Sequence, residues 1–139
     1  MVTLDQTIPA MPVQDMPTAV AFYRERLGFE VLHHDGGFAV LGRGEAVVHL
    51  WEASDESWRE RLDAREKPVC SGAESFIAGT ASFRVRVVGV DELYDELSKA
   101  AVLHPVSKDG VDDTDFGTRE FATLDTDGNL ITFFEWVAE

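Results

Sequence analysis

Cysteine is almost missing from this sequence. A single one, Cys70, occurs in 139 residues, so no disulfide closes within the chain and no cysteine-based zinc centre forms. That scarcity fits a reducing, cytoplasmic setting. Basic residues are also scarce: 12 Lys and Arg stand against 26 Asp and Glu, a net charge of −14. Such a chain is repelled by nucleic-acid phosphates and by anionic lipid surfaces, which argues strongly against those partners. No stretch approaches the 18 apolar residues of a membrane span. Residues 1–6 contain neither a basic residue nor an apolar run, so no secretory leader is expected. What is present is a core-forming composition, 45% hydrophobic and 10% aromatic, too rich for a disordered acidic tail.

Periodicity divides the chain into two similar parts. Residues 7–13 are apolar and interrupted by Pro9 and Pro12, as an edge strand tolerates. Asp15 is a helix N-cap with Pro17 in the first turn. Met16, Val20, Tyr23 and Leu27 follow at helical spacing, and Gly28 ends the helix. Strands are predicted at 29–34, 38–42 and 46–51, with hairpin chemistry in Asp35-Gly36-Gly37 and Gly42-Arg43-Gly44. Residues 52–66 are polar and charged; Trp58 and Leu62 predict a surface helix starting near Ser54 or Asp55, followed by a loop over 68–80. The order then recurs: a strand at 81–88, a helix at 90–101, a strand at 104–107, an acidic loop at 108–115, and strands at 119–124 and 129–136 around the turn Asp125-Thr126-Asp127-Gly128.

The strand ends support a repeat. Val48-His49-Leu50-Trp51-Glu52 and Ile131-Thr132-Phe133-Phe134-Glu135 are both apolar runs that close on an acid. Element order and this match give β-α-β-β-β twice: an α+β chain of one domain over 1–139, with module one at 7–52, a connecting helix and loop at 53–80, and module two at 81–136. The competing reading is one mixed α+β sheet without a repeat.

Two stretches resemble a known superfamily. Ile8-Pro9-Ala10-Met11-Pro12-Val13-Gln14-Asp15, then Ala19-Val20-Ala21-Phe22-Tyr23 and Leu27-Gly28-Phe29, are similar to the opening module of the vicinal-oxygen-chelate superfamily. Gly117-Thr118-Arg119-Glu120-Phe121-Ala122, then Leu124-Asp125-Thr126-Asp127-Gly128-Asn129, are similar to its closing module. Members include glyoxalase I, extradiol dioxygenases, fosfomycin-resistance enzymes and bleomycin-resistance proteins. Pro9, the Asp91–Tyr94 helix start and the Arg-Glu-Phe-Ala strand resemble the bleomycin-resistance type. That resemblance implies curved mixed sheets around a cleft, and a domain-swapped homodimer that sequesters a drug without altering it.

The superfamily's enzymes hold a divalent metal at four strand positions. Transferred onto this sequence, those positions are Ile8, His49, Ser82 and Thr132. A Lewis-acid centre needs imidazole or carboxylate donors and open positions for substrate oxygens. Ile8 offers no donor, hydroxyls are poor ligands, and one histidine is not a site, so no metal and no other cofactor is expected. His33 and His34 are adjacent on a strand and face opposite ways, and His104, before Pro105, reads as exposed.

Strand alternation then sorts the residues by face. Ile8, Ala10, Val47, His49 and Trp51 share the inner face of module one; Ser82, Arg84, Leu130, Thr132 and Phe134 share that of module two. The outer set, Val48, Leu50, Phe83, Val85, Ile131 and Phe133, is uniformly apolar and packs on the helices. The inner set is mixed and aromatic, as a ligand pocket requires. Phe38 and Phe116 stand where the resemblance implies aromatic ligand contacts, although core packing and loop anchoring compete. The candidate ligand-binding residues are therefore Phe38, His49, Trp51, Ser82, Arg84, Phe116, Thr132 and Phe134. Trp51 is either a cleft wall or a dimer contact; Trp136 is either a C-terminal anchor or a ligand contact. Arg84 and Arg86 either bind ligand oxygens or pair with Glu120. Asp109, Asp112, Asp113 and Asp115 form a solvated run that steers a cationic ligand if it rims the groove. Cys70 has no basic neighbour to activate it.

The function this implies is a cytoplasmic antibiotic-resistance protein that captures a toxic natural product, either a bleomycin-like glycopeptide or a planar antibiotic such as an anthraquinone-fused enediyne. The alternative is an enzyme of the same superfamily, a lyase or dioxygenase with relocated ligands or a metal-free isomerase using Glu120 or His49. A carrier of an endogenous metabolite is the third reading.

Overall fold

The computed structural model describes residues 1–53 and 78–137. The first module runs β1 (Ala10–Val13), α1 (Met16–Glu25), β2 (Glu30–His34), β3 (Phe38–Arg43) and β4 (Ala46–Glu52). The second runs β5 (Ser82–Arg86), α2 (Val90–Lys99), β6 (Asp112–Asp113), β7 (Thr118–Leu124) and β8 (Leu130–Trp136). The sheets have matching orders, β1-β4-β3-β2 and β5-β8-β7-β6. In each, the first strand lies parallel to the last and the other pairings are antiparallel. The repeat expected from element order is therefore present as two mixed four-stranded sheets, each with one helix.

Local chemistry explains the boundaries. The Asp15 carboxylate accepts hydrogen bonds from the Thr18 amide, at 3.1 Å, and from the Thr18 hydroxyl, capping α1 ahead of Pro17. Past the end of α1, Gly28 adopts φ +76°, which lets the Phe29 amide return to the Tyr23 carbonyl at 3.0 Å. A Cβ at Gly28 would lie 2.8 Å from Nη1 of Arg43, which donates to the Leu27 carbonyl at 2.9 Å. A side chain at this position would strain the backbone and push the Arg43 guanidinium aside.

Helix α2 starts differently. Its N-cap, Gly89, has no side chain to offer, and the Glu135 carboxylate from β8 instead accepts from the Gly89 and Val90 amides, each at 3.1 Å. Those two hydrogen bonds, Val90 first, lower the Glu135 pKa. A lowered carboxylate pKa contributes stability above the unfolded value and loses it as pH falls through the folded value. Glu135→Gln is therefore expected to melt earlier than the parent at pH 7, with the gap closing by about pH 3. Thermal melts at the two pH values check this, and a gap independent of pH would contradict it.

Alternation in the strands builds the core. Val48, Leu50, Ala39 and Leu41 in module one, and Phe121, Ile131 and Phe133 in module two, are buried with Met16, Val20, Tyr23, Val90 and Leu97 in one continuous cluster. The modules are also joined by polar contacts. The Tyr23 hydroxyl donates to Asp125 at 2.9 Å, while Nδ2 of the fully buried Asn129 donates to the Pro12 carbonyl at 2.8 Å and to Asp125 at 3.0 Å. Burial, then the Asp125 charge, pushes the Tyr23 hydroxyl well above its usual range. Arg26 donates to the Ala100 carbonyl at 2.8 Å, and Arg43 grips Glu96 with two hydrogen bonds at 2.7 and 2.8 Å.

Four expectations need correcting. Residues 104–107 are not a strand: Pro105–Ser107 is a 3-10 turn, because Pro105 has no amide for a ladder and its fixed φ suits the first turn position. His104 is half-buried rather than exposed, and its Nδ1 accepts from the Val106 amide at 3.0 Å. The second strand of the module is β6, inside the predicted acidic loop, where Asp112 and Asp113 pair with Glu120 and Arg119. Aspartate is a poor strand former; here Nε of Arg119 holds Asp113 at 3.0 Å across the ladder. The start of the predicted 7–13 strand, both ends of the 81–88 strand and the last two residues of the 90–101 helix are trimmed, the helix stopping before Ala101 at φ +59°. The predicted 54–66 helix, with Trp58, Leu62 and Cys70, lies outside the described residues. Among the described residues no helix is long and apolar enough to cross a membrane.

Candidate ligand-binding site

The sheet face turned away from the helices carries the candidate residues. In module one, register sets Phe38 beside Trp51, Val40 beside His49, and Ala10 beside His49. The Phe38 ring centre lies 4.5 Å from that of Trp51, 5.1 Å from His49 and 5.9 Å from His33. Three predicted residues, Phe38, His49 and Trp51, thus form one half-buried aromatic cluster. His33 was not anticipated. It joins through a register shift between Val31 and His33 that sets it opposite Val40, and such bulges leave no clear signal in a pattern. The turn Asp35-Gly36-Gly37 fixes the arrangement, since Oδ1 of Asp35 accepts from the Gly37 and Phe38 amides, both at 3.0 Å.

In module two, Ser82 pairs with Leu130, Arg84 with Thr132, and Glu120 with Phe134. Arg84 donates to Glu120 through both terminal nitrogens, at 2.8 and 3.4 Å, and its guanidinium carbon stands 4.7 Å from the centre of the Phe134 ring. Of the two roles open to Arg84 in the sequence, the pairing with Glu120 is present in the structure. The contact with Arg84, the larger effect, and the hydroxyl of Thr118 lower the Glu120 pKa, and the guanidinium pKa of Arg84 rises in turn. Trp136 meets Phe134 edge to face at 5.9 Å. Ser82 is exposed and Thr132 half-buried. Phe116 is 59% exposed on the loop before Gly117, whose φ of +94° and carbonyl bond to the Val137 amide fold that loop against the end of β8.

The predicted residues thus divide between two sheets: Phe38, His49 and Trp51 on one, Ser82, Arg84, Thr132 and Phe134 on the other, with Phe116 at the rim of the second. A cavity of about 590 Å³ bordered by residues 6–9, 45–48 and 83–86 brings Ile8 and Val47 to the edge of β5 beside Arg84.

The four positions onto which the resemblance carries a metal do not suit an ion. Ile8 presents hydrocarbon, Ser82 and Thr132 present neutral hydroxyls, and His49 is the single imidazole, engaged edge-on by Phe38. Among the described residues no three His, Cys, Asp or Glu side chains converge as ligands.

Comparison with known proteins agrees with this fold. The family model described as the Glyoxalase/Bleomycin resistance protein/Dioxygenase superfamily matches residues 3–133. A bleomycin resistance protein of Geobacillus stearothermophilus is 50% identical over 132 residues, covering 95% of this chain and 97% of its own. The crystal structure of a bleomycin-binding protein from bleomycin-producing Streptomyces verticillus, complexed with copper(II)-bleomycin, matches with a TM-score of 0.71 and 25% identity, covering 100% of both chains. The fold is shared more widely: a lactoylglutathione lyase from Agrobacterium tumefaciens matches with a TM-score of 0.67 at 20% identity, covering 94% of this chain and 92% of its own.

Proposed function

The chain belongs to the Glyoxalase/Bleomycin resistance protein/Dioxygenase superfamily, and from that premise we propose that it is a resistance protein that binds a bleomycin-type glycopeptide and holds it unmodified. One observation carries the reading: an aromatic cluster of Phe38, Trp51 and His49 occupies an open sheet face on which His49 is the single imidazole among the four positions carried over as metal positions. Stacked rings contribute about 1 kcal/mol per pair beyond area burial, and capture needs no nucleophile or proton transfer. The names of the relatives point to bleomycin rather than to an enediyne. Glu120, the base of the metal-free isomerase alternative, is held as a carboxylate by Arg84 and Thr118, an arrangement that opposes proton uptake.

The working unit in this reading is a homodimer in the cytoplasm. Each sheet's inner face points away from the core it shares with the other module, so a second copy is needed to close a cleft over it. The exposed arm with Met1, Val2, Leu4 and Ile8 is suited to exchange between protomers. Exposed Asp112, Asp113 and Asp115 beside β7 would draw in a cationic ligand tail.

Calorimetric titration with metal-free and with copper(II)-loaded bleomycin tests the proposal. The expected result is one drug per protomer with a Kd below about 1 μM, in a protein that sediments as a dimer. Absence of heat and of any shift in melting temperature with either form would contradict binding, and a monomer in the sedimentation run would contradict the dimer.

A further inference from the structure

Arg84 is ordered more strongly than an ordinary surface arginine. It is 45% exposed at the side chain, yet both terminal nitrogens engage Glu120 and its guanidinium covers Phe134. Glu120 is anchored in turn: the Thr118 hydroxyl donates to its second oxygen at 2.9 Å, and the Thr118 hydroxyl and amide are wired to the Thr114 hydroxyl at 2.8 and 3.0 Å. An exposed ion pair contributes little stability by itself, so folding alone does not account for this chain of contacts. What the chain accomplishes is to fix the plane of the guanidinium and cancel its charge.

The surroundings add a shape. Register sets Thr132 directly beside Arg84, and Ala122 beyond it. These side chains are shorter than that of Arg84, so Arg84 and Phe134 form a step above a shallow floor, with the Trp136 ring edge to face with Phe134. The guanidinium thus sits over an aromatic ring while its side chain stays half exposed. A delocalised, weakly hydrated plane of that kind stacks on flat rings, and the Glu120 carboxylate beside it disfavours an anionic ligand.

Resting on the proposed drug-binding role, we infer that Arg84 is a specificity-determining residue that offers its planar face, not its charge, to a flat neutral or cationic ring of the ligand, with Glu120 as the residue that positions it. A lysine would preserve the charge and lose the plane. The full-length protein and its Arg84→Ala, Arg84→Lys and Glu120→Gln variants are titrated with two probes: bleomycin, and ethidium as a flat aromatic cation unrelated to glycopeptides. Melting temperature is recorded for each variant.

Arg84→Lys is expected to weaken both probes as much as Arg84→Ala does, roughly fivefold to tenfold, with melting temperatures close to the parent. Glu120→Gln weakens both probes by a smaller factor, since the guanidinium is freed but remains. Binding of Arg84→Lys equal to the parent would overturn the inference, as would an unaffected Arg84→Ala. Ethidium binding that depends on Arg84 without any bleomycin binding would sustain the platform and remove the drug assignment. Failure of the parent protein to bind either probe would overturn both.

Discussion

Replacing Asp125 with alanine is expected to lower the free energy of unfolding by about 3–5 kcal/mol. Only 5% of Asp125 is exposed, and it accepts four hydrogen bonds: from the Tyr23 hydroxyl, from the Asp127 amide, and from the amide and side chain of Asn129. Alanine would strand the fully buried Tyr23 hydroxyl and the Asn129 amide groups without an acceptor. Because Asn129 also bridges to the Pro12 carbonyl, the loss would loosen the joint between the modules as well as a turn. Denaturant melts measure it, and Asp125→Asn, which keeps one acceptor oxygen, should cost less. A destabilisation of under about 1 kcal/mol would mean that the joint relies on apolar packing alone.

Removing the ring at the centre of the aromatic cluster should have the largest effect on binding. Phe38→Ala is expected to raise the Kd for bleomycin by roughly 30- to 100-fold, about 2–3 kcal/mol. Phe38 touches Trp51, His49 and His33 at once, so its loss leaves those three rings without a common wall. Phe38→Tyr preserves the stack and should remain within a few-fold of the parent. Calorimetry on the variants decides it; an unchanged Kd for Phe38→Ala would move the drug off this face altogether.

The parts of this molecule that were legible in the sequence are those governed by a strict local period. Alternation over 46–51 and 129–136 separated Val48, Leu50, Ile131 and Phe133 from His49, Trp51, Thr132 and Phe134, and the burial follows that division. The Asp15 cap, the Gly28 stop and the Asp35–Gly37 hairpin were readable because each rests on neighbours within a few residues. Contacts that join distant segments were hidden. Glu135 was visible only as an acid closing a strand, whereas it caps a helix 45 residues away. Asp125 read as turn chemistry, whereas its oxygens also meet Tyr23, 102 residues earlier. Strand β6 was hidden for a further reason: its two aspartates oppose strand formation by composition and are held by Arg119 and the β7 ladder. Of the site, the face of each residue could be deduced, but the stacking of Arg84 on Phe134 and the entry of His33 depended on register.

Capture and catalysis differ in how much drug one protomer can account for. Protein treated with chelator is mixed with a tenfold excess of bleomycin and dialysed to equilibrium. The protein is then unfolded, and all of the drug is weighed by mass spectrometry. Sequestration predicts that retention stops at one equivalent per protomer and that every recovered molecule has its original mass, with or without chelator. Conversion of more than one equivalent per protomer to a product of altered mass, or retention that requires an added metal, would contradict it.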